Sequence, residues 1–162
     1  MSFRAQLALP EHRQLFDYWL ERQSDSQLPM RKDFNPVDFP RLLPGISLID
    51  VDDDISKCRV RLAGTRLRDV FDREITGMQI NDLDWGDRRS YWLTAYEHTV
   101  TKCMPTQGVV RGPRVHKEHL VQYWLKLPLS TSDGQKVDMI LCHDQFMPAA
   151  MEVERERMAR LA

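Results

Sequence analysis

Residues 57–83 read KCRVRLAGTRLRDVFDREITGMQINDL, and the order of local patterns in this stretch decides the predicted fold. The first seven residues alternate apolar and charged side chains, which is the two-residue period of a strand. A turn at Gly64-Thr65 ends this strand, and the amphipathic run that follows predicts a short helix. A second turn at Thr76-Gly77 closes the stretch. We expect both glycines to hold backbone conformations that other residues disfavour, because each lies where a regular element ends.

The flanking sequence extends this pattern in both directions. Residues 45–51 predict a strand that pairs with residues 57–63 as an antiparallel hairpin. Downstream, the sequence predicts a helix, three strands and a last helix, at 87–103, 106–112, 119–130, 136–146 and 148–161. The order is therefore helix, two strands, helices, three strands, helix. It indicates an α+β fold with a five-stranded antiparallel sheet, helices inserted after the second strand, and a helix at each end.

The N-terminal part is predicted to differ from the sheet-forming part. Residues 10–23 carry helical periodicity behind Pro10, and Ser24 to Pro44 should be an extended proline-rich connector with at most one short helical turn. We divide the chain into three parts on this basis. They are an N-terminal helix and connector at 1–44, a core at 45–147 and a C-terminal helix at 148–162.

Length and composition exclude several classes of protein. A chain of 162 residues with 42% hydrophobic residues can bury a core without metal or disulfide. The formal net charge of −1 gives no global attraction to nucleic acid. Three widely spaced cysteines form no paired motif, and no apolar run is long enough to cross a membrane. We expect a cytoplasmic protein that binds neither nucleic acid nor membrane.

Five strings in the first half of the chain resemble a bacterial single-domain family of PAS-type sensor or adaptor proteins. They are Tyr18-Trp19, the set Pro29, Arg31, Asp33 and Pro36, the segment Phe39-Pro40-x-Leu42-Leu43-Pro44, Arg61 to Thr65, and Phe71 to Gly77. The later half resembles the family by its order of elements. The resemblance implies a PAS fold and a role in signalling, and it supplies no catalytic residues. Family members often have glycine where this chain has Asp72, so the turn there is expected to differ.

A ligand pocket is one interpretation of the aromatic residues in the middle of the chain. Phe71, Trp92, Tyr96 and Tyr123 are predicted to surround one volume between helices and sheet, with His143 as a titratable neighbour. Residues of this kind also form ordinary cores. Both interpretations stay open at this point.

The N-terminal helix carries an apolar stripe formed by Leu15, Phe16, Trp19 and Leu20. An isolated helix of this length is marginal in water, so the stripe needs a surface to pack on. The surface is either the chain's own sheet or the same helix in a second copy. A helix that precedes the sheet commonly serves a dimer in PAS-like domains, and the resemblance therefore favours a homodimer through these four residues.

Metal and cofactor chemistry finds little support in the sequence. His116 and His119 have the spacing of a metal pair only if they are helical, and Pro113 argues against a helix there. His98 lies on the helix where some haem sensors of the PAS type carry their axial ligand, but it is off the apolar stripe of that helix. We expect no metal and no cofactor.

A short R-x-x-D string, Arg66 to Asp69, matches the string found at inhibitory cyclic-dinucleotide sites. Four residues with two fixed positions arise often by chance. We interpret them as the charged face of an amphipathic helix that points to water.

The leading hypothesis is a non-catalytic PAS-like sensory or adaptor domain in bacterial cytoplasmic signalling. It would bind a small ligand, a signalling partner or both, and act as a homodimer. One alternative is a small α+β enzyme that uses the same cavity, which requires a cluster of titratable groups there. Another is a structural subunit with a fully packed core.

Overall fold

A computed structural model describes residues 1–162 and contains one five-stranded antiparallel sheet. The spatial order of the strands is β2-β1-β5-β4-β3. The strands are β1 Ile46–Asp50, β2 Arg59–Ala63, β3 Thr106–Arg111, β4 Leu120–Leu129 and β5 Met139–Pro148. The predicted fold class, with helices inserted after the second strand, is confirmed.

Five α-helices accompany the sheet. They are α1 Phe3–Gln6, α2 Pro10–Arg22, α3 Thr65–Phe71, α4 Arg89–Lys102 and α5 Ala149–Leu161. Most boundaries lie within two residues of the predicted ones. The last strand begins three residues later than predicted, because the Asp138 carboxylate accepts a hydrogen bond from the Thr131 amide and holds the preceding residues in the turn.

The sheet is buried on both of its faces. Strands β4 and β5 form its longest ladder, with ten residue pairs from Leu120↔Pro148 to Leu129↔Met139. On one face, α3, α4 and the segment between them cover a cluster of 18 buried residues, among them Trp92. On the other face, the N-terminal elements cover a second cluster of 14. The fold therefore has three layers.

The apolar stripe of α2 packs on the sheet of its own chain. Leu15, Phe16 and Trp19 are buried there, and the Trp19 indole N–H donates a hydrogen bond of 2.9 Å to the Pro128 carbonyl. Only Leu20 stays on the surface, with 49% exposure. This placement corrects the expectation that all four residues present a surface to a second copy. The physical reason is the apolar second face of the sheet, which α2 removes from water.

The proline-rich connector is more regular than predicted. It contains three 3-10 turns, Arg31–Asp33, Pro36–Asp38 and Pro40–Gly45, where at most one short turn was expected. Proline opens the second and third turns, because its fixed φ suits a first helical position. The connector also contributes buried side chains to the core, namely Leu28, Phe34, Phe39 and Leu42.

The two predicted glycine turns differ in kind. Gly77 has φ +90°, which is the conformation expected there. Gly64 has φ −68°, so the expectation of a disfavoured conformation is wrong for this residue. Glycine is required at position 64 for another reason: a Cβ would lie 2.5 Å from the carbonyl oxygens of Leu43 and Pro44. Of the two threonines, Thr65 begins α3 and Thr76 donates a hydrogen bond through its hydroxyl to Glu74.

Asp72 adopts a turn conformation that glycine would adopt more easily. The residue ends α3 with φ 56°, in the left-handed region, and its carboxylate lies 3.5 Å from the Arg114 guanidinium and 3.3 Å from the Lys117 ammonium. Aspartate tolerates this region better than most residues. The ion pairs join α3 to the loop before β4, a contact that glycine cannot make.

Replacement of Gly77 by valine should lower the free energy of unfolding by about 1–3 kcal/mol, because a β-branched residue is strained at positive φ. The site has open space, since no atom lies within 4 Å of a Cβ at this position. The loss would therefore report backbone strain alone. Chemical denaturation measures it. Gly77→Asn is the matched control and should lose less, because asparagine tolerates left-handed backbone. Equal stability of the wild type and Gly77→Val would contradict the prediction.

Candidate functional site

A small enclosed cavity lies between the sheet and the helices α3 and α4. Phe71, Trp92 and Tyr96, three of the residues considered for a pocket, line it, and its volume is about 20 Å³. A space of this size holds one or two water molecules. Pockets for drug-sized ligands are usually larger by more than tenfold, at roughly 300–1,000 Å³. Aromatic side chains therefore fill most of the interior.

The cavity wall carries a lysine that is almost completely buried. Lys126 is 2% exposed, and its ammonium nitrogen lies 4.1 Å from the ring centre of Tyr96 and 5.3 Å from those of Trp92 and Trp124. Its hydrogen-bond partner is the Cys142 sulfur, at 3.7 Å. An ammonium has three donors, and sulfur is a weak acceptor. The positive charge is thus held by aromatic faces and lacks an oxygen partner.

A buried carboxyl group faces the same cavity. Asp144 is 4% exposed and accepts a hydrogen bond of 2.6 Å from the Gln122 side-chain amide. Burial raises the pKa of Asp144, and the positive charge of Lys126 opposes this shift only in part. Burial also raises the pKa of the Tyr96 phenol and of the Cys142 thiol. The cavity therefore joins a lysine to three weak acids in a dry environment.

Two of the predicted pocket residues lie elsewhere. Tyr123 and His143 are on the opposite face of the sheet from the cavity, where Tyr123 packs with Leu9 and accepts a hydrogen bond of 2.8 Å from Arg155. Successive residues of a strand point to opposite faces. On β5, Asp144 faces the cavity, so its neighbour His143 faces away. The structure thus brings together three of the five residues.

The sequence prediction missed Gln122, Lys126 and Asp144. A strand with a single buried apolar face would leave Gln122 and Lys126 on the solvent side, because both have the opposite parity to Tyr123. In the structure every residue of β4 after Leu120 is buried, because helices cover both faces. Trp124 was the available signal: it shares the parity of Gln122 and Lys126, and a tryptophan there indicates that the second face is covered as well.

A pair of buried histidines lies between α2, which carries His12, and β5, which carries His143. The rings of His12 and His143 make an edge-to-face contact with 5.0 Å between their centres. His12 Nε2 and His143 Nδ1 are buried without a hydrogen-bond partner. Burial lowers the pKa of His12 to about 4, opposed by a hydrogen bond to the backbone of His143. Burial, with the nearby His12 and Arg66, lowers the pKa of His143 to about 3.

The remaining histidines and the helix charges lie away from the cavity. His116 and His119 are exposed in the loop before β4, and His98 is exposed on the outer side of α4. No group of three histidine, cysteine or acidic side chains is arranged to hold a metal ion. Arg66 is half-buried and donates a hydrogen bond of 2.9 Å to the Asp144 carbonyl. This corrects the interpretation that the charges of α3 all point to water.

No helix is both long and apolar enough to cross a membrane.

Comparison with known proteins gives a consistent family match. A family model described as a PAS domain matches residues 8–142, which is most of the chain. A comparison with curated protein sequences gives no match.

Several solved structures share the fold. The LOV protein of Rhodobacter sphaeroides superposes with a TM-score of 0.52 at 15% identity, over 76% of this chain and 74% of that one. A PAS domain from Colwellia psychrerythraea gives 0.50 at 12%, over 69% and 96%. VqmA bound to DPO gives 0.54 at 11%, over 68% of this chain and 56% of its own. At such identities the likeness shows the fold alone.

The histidine pair should make the protein sensitive to acid. A histidine with a lowered pKa in the folded state takes up a proton more readily in the unfolded chain, so the free energy of unfolding falls as the pH drops from 6.5 to about 4. Each pKa unit corresponds to 1.36 kcal/mol, so His12 accounts for a loss on the order of 3 kcal/mol. His12→Phe, which keeps a ring in place, should flatten this part of the stability profile. Chemical denaturation at several pH values measures it.

The control is His119→Gln, which changes an exposed histidine and should keep the wild-type profile. A profile for His12→Phe as steep as that of the wild type between pH 6.5 and 4 would contradict the assignment.

Proposed function

The chain belongs to the PAS domain family, and we propose that it is a non-catalytic sensory domain in bacterial signalling that binds a small polar ligand in the interior cavity. The ligand would carry a hydrogen-bond acceptor for Lys126. Cytoplasmic signalling through a protein partner is part of the same proposal.

The observation that carries this proposal is the state of Lys126. A lysine is almost never fully buried unless it is paired. Here the ammonium has aromatic neighbours and a sulfur, but no oxygen acceptor. Burial of an unpaired charge costs several kcal/mol, which a purely structural core would avoid with methionine or leucine. An acceptor atom of a bound ligand would satisfy the two remaining donors.

We also propose that the domain is not catalytic, because the interior cavity is small. The interior does contain the cluster of titratable groups that the enzyme alternative requires, with Lys126, Asp144, Tyr96 and Cys142 around one cavity. A catalyst must admit a substrate to such a cluster. The volume of about 20 Å³ admits a ligand of only a few atoms and leaves no room for a larger substrate beside these side chains. The cluster therefore fits recognition of a very small ligand better than turnover.

The same small volume favours a second candidate function, an adaptor with a packed core that works through a protein partner. The two candidates differ in what Lys126 does. In a sensor, Lys126 binds the ligand, and its buried charge lowers the free energy of unfolding of the ligand-free protein. In a packed adaptor, its aliphatic stem and its ammonium group pack as part of the core.

Lys126→Met separates these candidates. Methionine keeps the length of the side chain and removes the charge, so the sensor hypothesis predicts that the free energy of unfolding rises by about 1–4 kcal/mol. It also predicts that native mass spectrometry of freshly purified wild type shows a retained small mass that the variant lacks. Lys136→Met changes an exposed lysine and should alter neither readout.

A loss of stability in Lys126→Met, together with no retained mass in the wild type, would contradict the sensor hypothesis and favour the adaptor.

We also propose that the protein is a homodimer, with α5 at the contact. The buried stripe of α2 cannot serve, but α5 exposes Met151, Met158 and Leu161 on one side. Its inward side is fixed by Glu152, which is buried and lies 3.3 Å from Arg155. The last turns have few contacts within the chain, and a short helix is marginal without a surface. A second copy of the same helix would bury these three residues.

The double variant Met151→Glu and Met158→Glu should shift the protein to monomer, because two carboxylates would be buried in the contact. Light scattering at tens of micromolar measures the mass. Val153→Glu adds one carboxylate on the other side of α5 and should leave the dimer intact. A monomeric wild type under these conditions would rule out the dimer.

A further inference from the structure

A second pocket opens at the rim of the sheet, on the face opposite the interior cavity. We call it the rim pocket and define it by Gln14, Arg41, Arg66, His143 and Gln145. It lies where β1 begins, beside the part of β5 that continues past β1, since Ile46↔His143 is the last pair between these strands. Its volume is about 350 Å³, within the range of small-molecule sites.

The charges around the rim pocket are mostly positive. Arg41 and Arg66 line it, and neither forms a salt bridge, whereas Glu11 is the only acidic residue in its wall. The first turn of α2 adds the positive end of that helix, because Pro10 and Glu11 also line the pocket. A guanidinium matches the geometry of a carboxylate or a phosphate group. The pocket therefore favours an anion.

The backbone makes room for this arrangement at Gly45. A Cβ at that position would overlap the Arg66 guanidinium and lie 2.9 Å from His143 Nε2. Only glycine lets the guanidinium and the imidazole approach the start of β1 together. The hydrogen bond from Arg66 to the Asp144 carbonyl, at 2.9 Å, then holds the guanidinium in place. The charge is positioned before any ligand arrives.

A buried and unpartnered side chain also lines the pocket. His143 is 1% exposed, and its buried Nδ1 has no hydrogen-bond partner. Buried polar groups are hydrogen-bonded in the great majority of cases. An anion in the pocket would accept a hydrogen bond from this ring, which can donate one N–H in its neutral form.

We propose that the rim pocket binds a small anionic ligand through a carboxylate or phosphate group, with Arg41 and Arg66 as its charged contacts and His143 as a hydrogen-bond donor. This site is separate from the interior cavity and does not depend on the function proposed for it. The two arginines would recognise the carboxylate or phosphate group of the ligand. The remaining volume of the pocket would hold the rest of a small molecule.

Titration of the full-length protein with inorganic phosphate and with acetate tests the proposal, at constant ionic strength set with chloride. Amide chemical shifts of residues 143–145 are the readout. We expect saturable shifts with a Kd below about 10 mM for one of the two anions, and the anion that binds names the class of ligand. Arg66→Gln and Arg41→Gln should each weaken binding by at least about tenfold, since each removes a charge-assisted hydrogen bond.

Arg68→Gln is the matched control, because Arg68 is exposed on α3 and lies outside the pocket. It should bind as the wild type does. Arg41→Gln keeps the test valid if Arg66→Gln perturbs the fold, since Arg41 is exposed and forms no hydrogen bond within the chain. Two results would overturn the proposal: no saturable shift with either anion, or an equal loss of binding in Arg68→Gln and Arg41→Gln.

Discussion

The ladder between β4 and β5 is buried on both faces, and the rest of the fold follows from that constraint. A strand pair of this length with apolar residues at both parities cannot leave either face in water. Helices α3 and α4 cover one face, and α2 with the 3-10 turns of the connector covers the other. This is why the N-terminal segment belongs to the core of the same chain. The polar residues Gln122, Lys126, His143 and Asp144 of these two strands are therefore buried.

The burial of polar residues on β5 places the rim pocket and the interior cavity on opposite faces of the same strand. His143 and Asp144 are neighbours on β5 and therefore point to opposite faces, one to the rim pocket and one to the interior cavity. Arg66 lines the rim pocket and donates a hydrogen bond to the backbone carbonyl of Asp144, whose carboxyl lines the cavity. A change in the hydrogen bonding of Arg66 acts on the backbone that carries the Asp144 carboxyl. The two binding proposals are thus physically adjacent, although each stands on its own observations.

Most of the fold could be predicted from the sequence, but less of the candidate site could. Periodicity reports where an element lies, so most predicted boundaries agree with the observed ones within two residues and the predicted order of the elements is correct. Periodicity does not report how many layers cover a strand. The alternation in β4 is compatible with a sheet that exposes one face to solvent and with a sheet that is buried on both faces. Lys126 is a surface residue in the first case and a cavity residue in the second. Tyr123 and His143 do share one face of the sheet, but that face is opposite the cavity.

The buried ionisable groups of the interior destabilise the fold, and we infer from this cost that they have a functional role. Lys126 and Asp144 are both buried, and neither receives a salt-bridge partner, so each imposes a desolvation penalty that better-packed apolar residues would remove. The large apolar clusters on both faces of the sheet can absorb that penalty without loss of the fold. Active and binding sites are the places where proteins tolerate such destabilising groups. His143 adds the smaller cost of a buried polar atom, since its Nδ1 has no hydrogen-bond partner. The cavity and the rim pocket therefore concentrate the unfavourable electrostatics of a fold that is otherwise consistently packed.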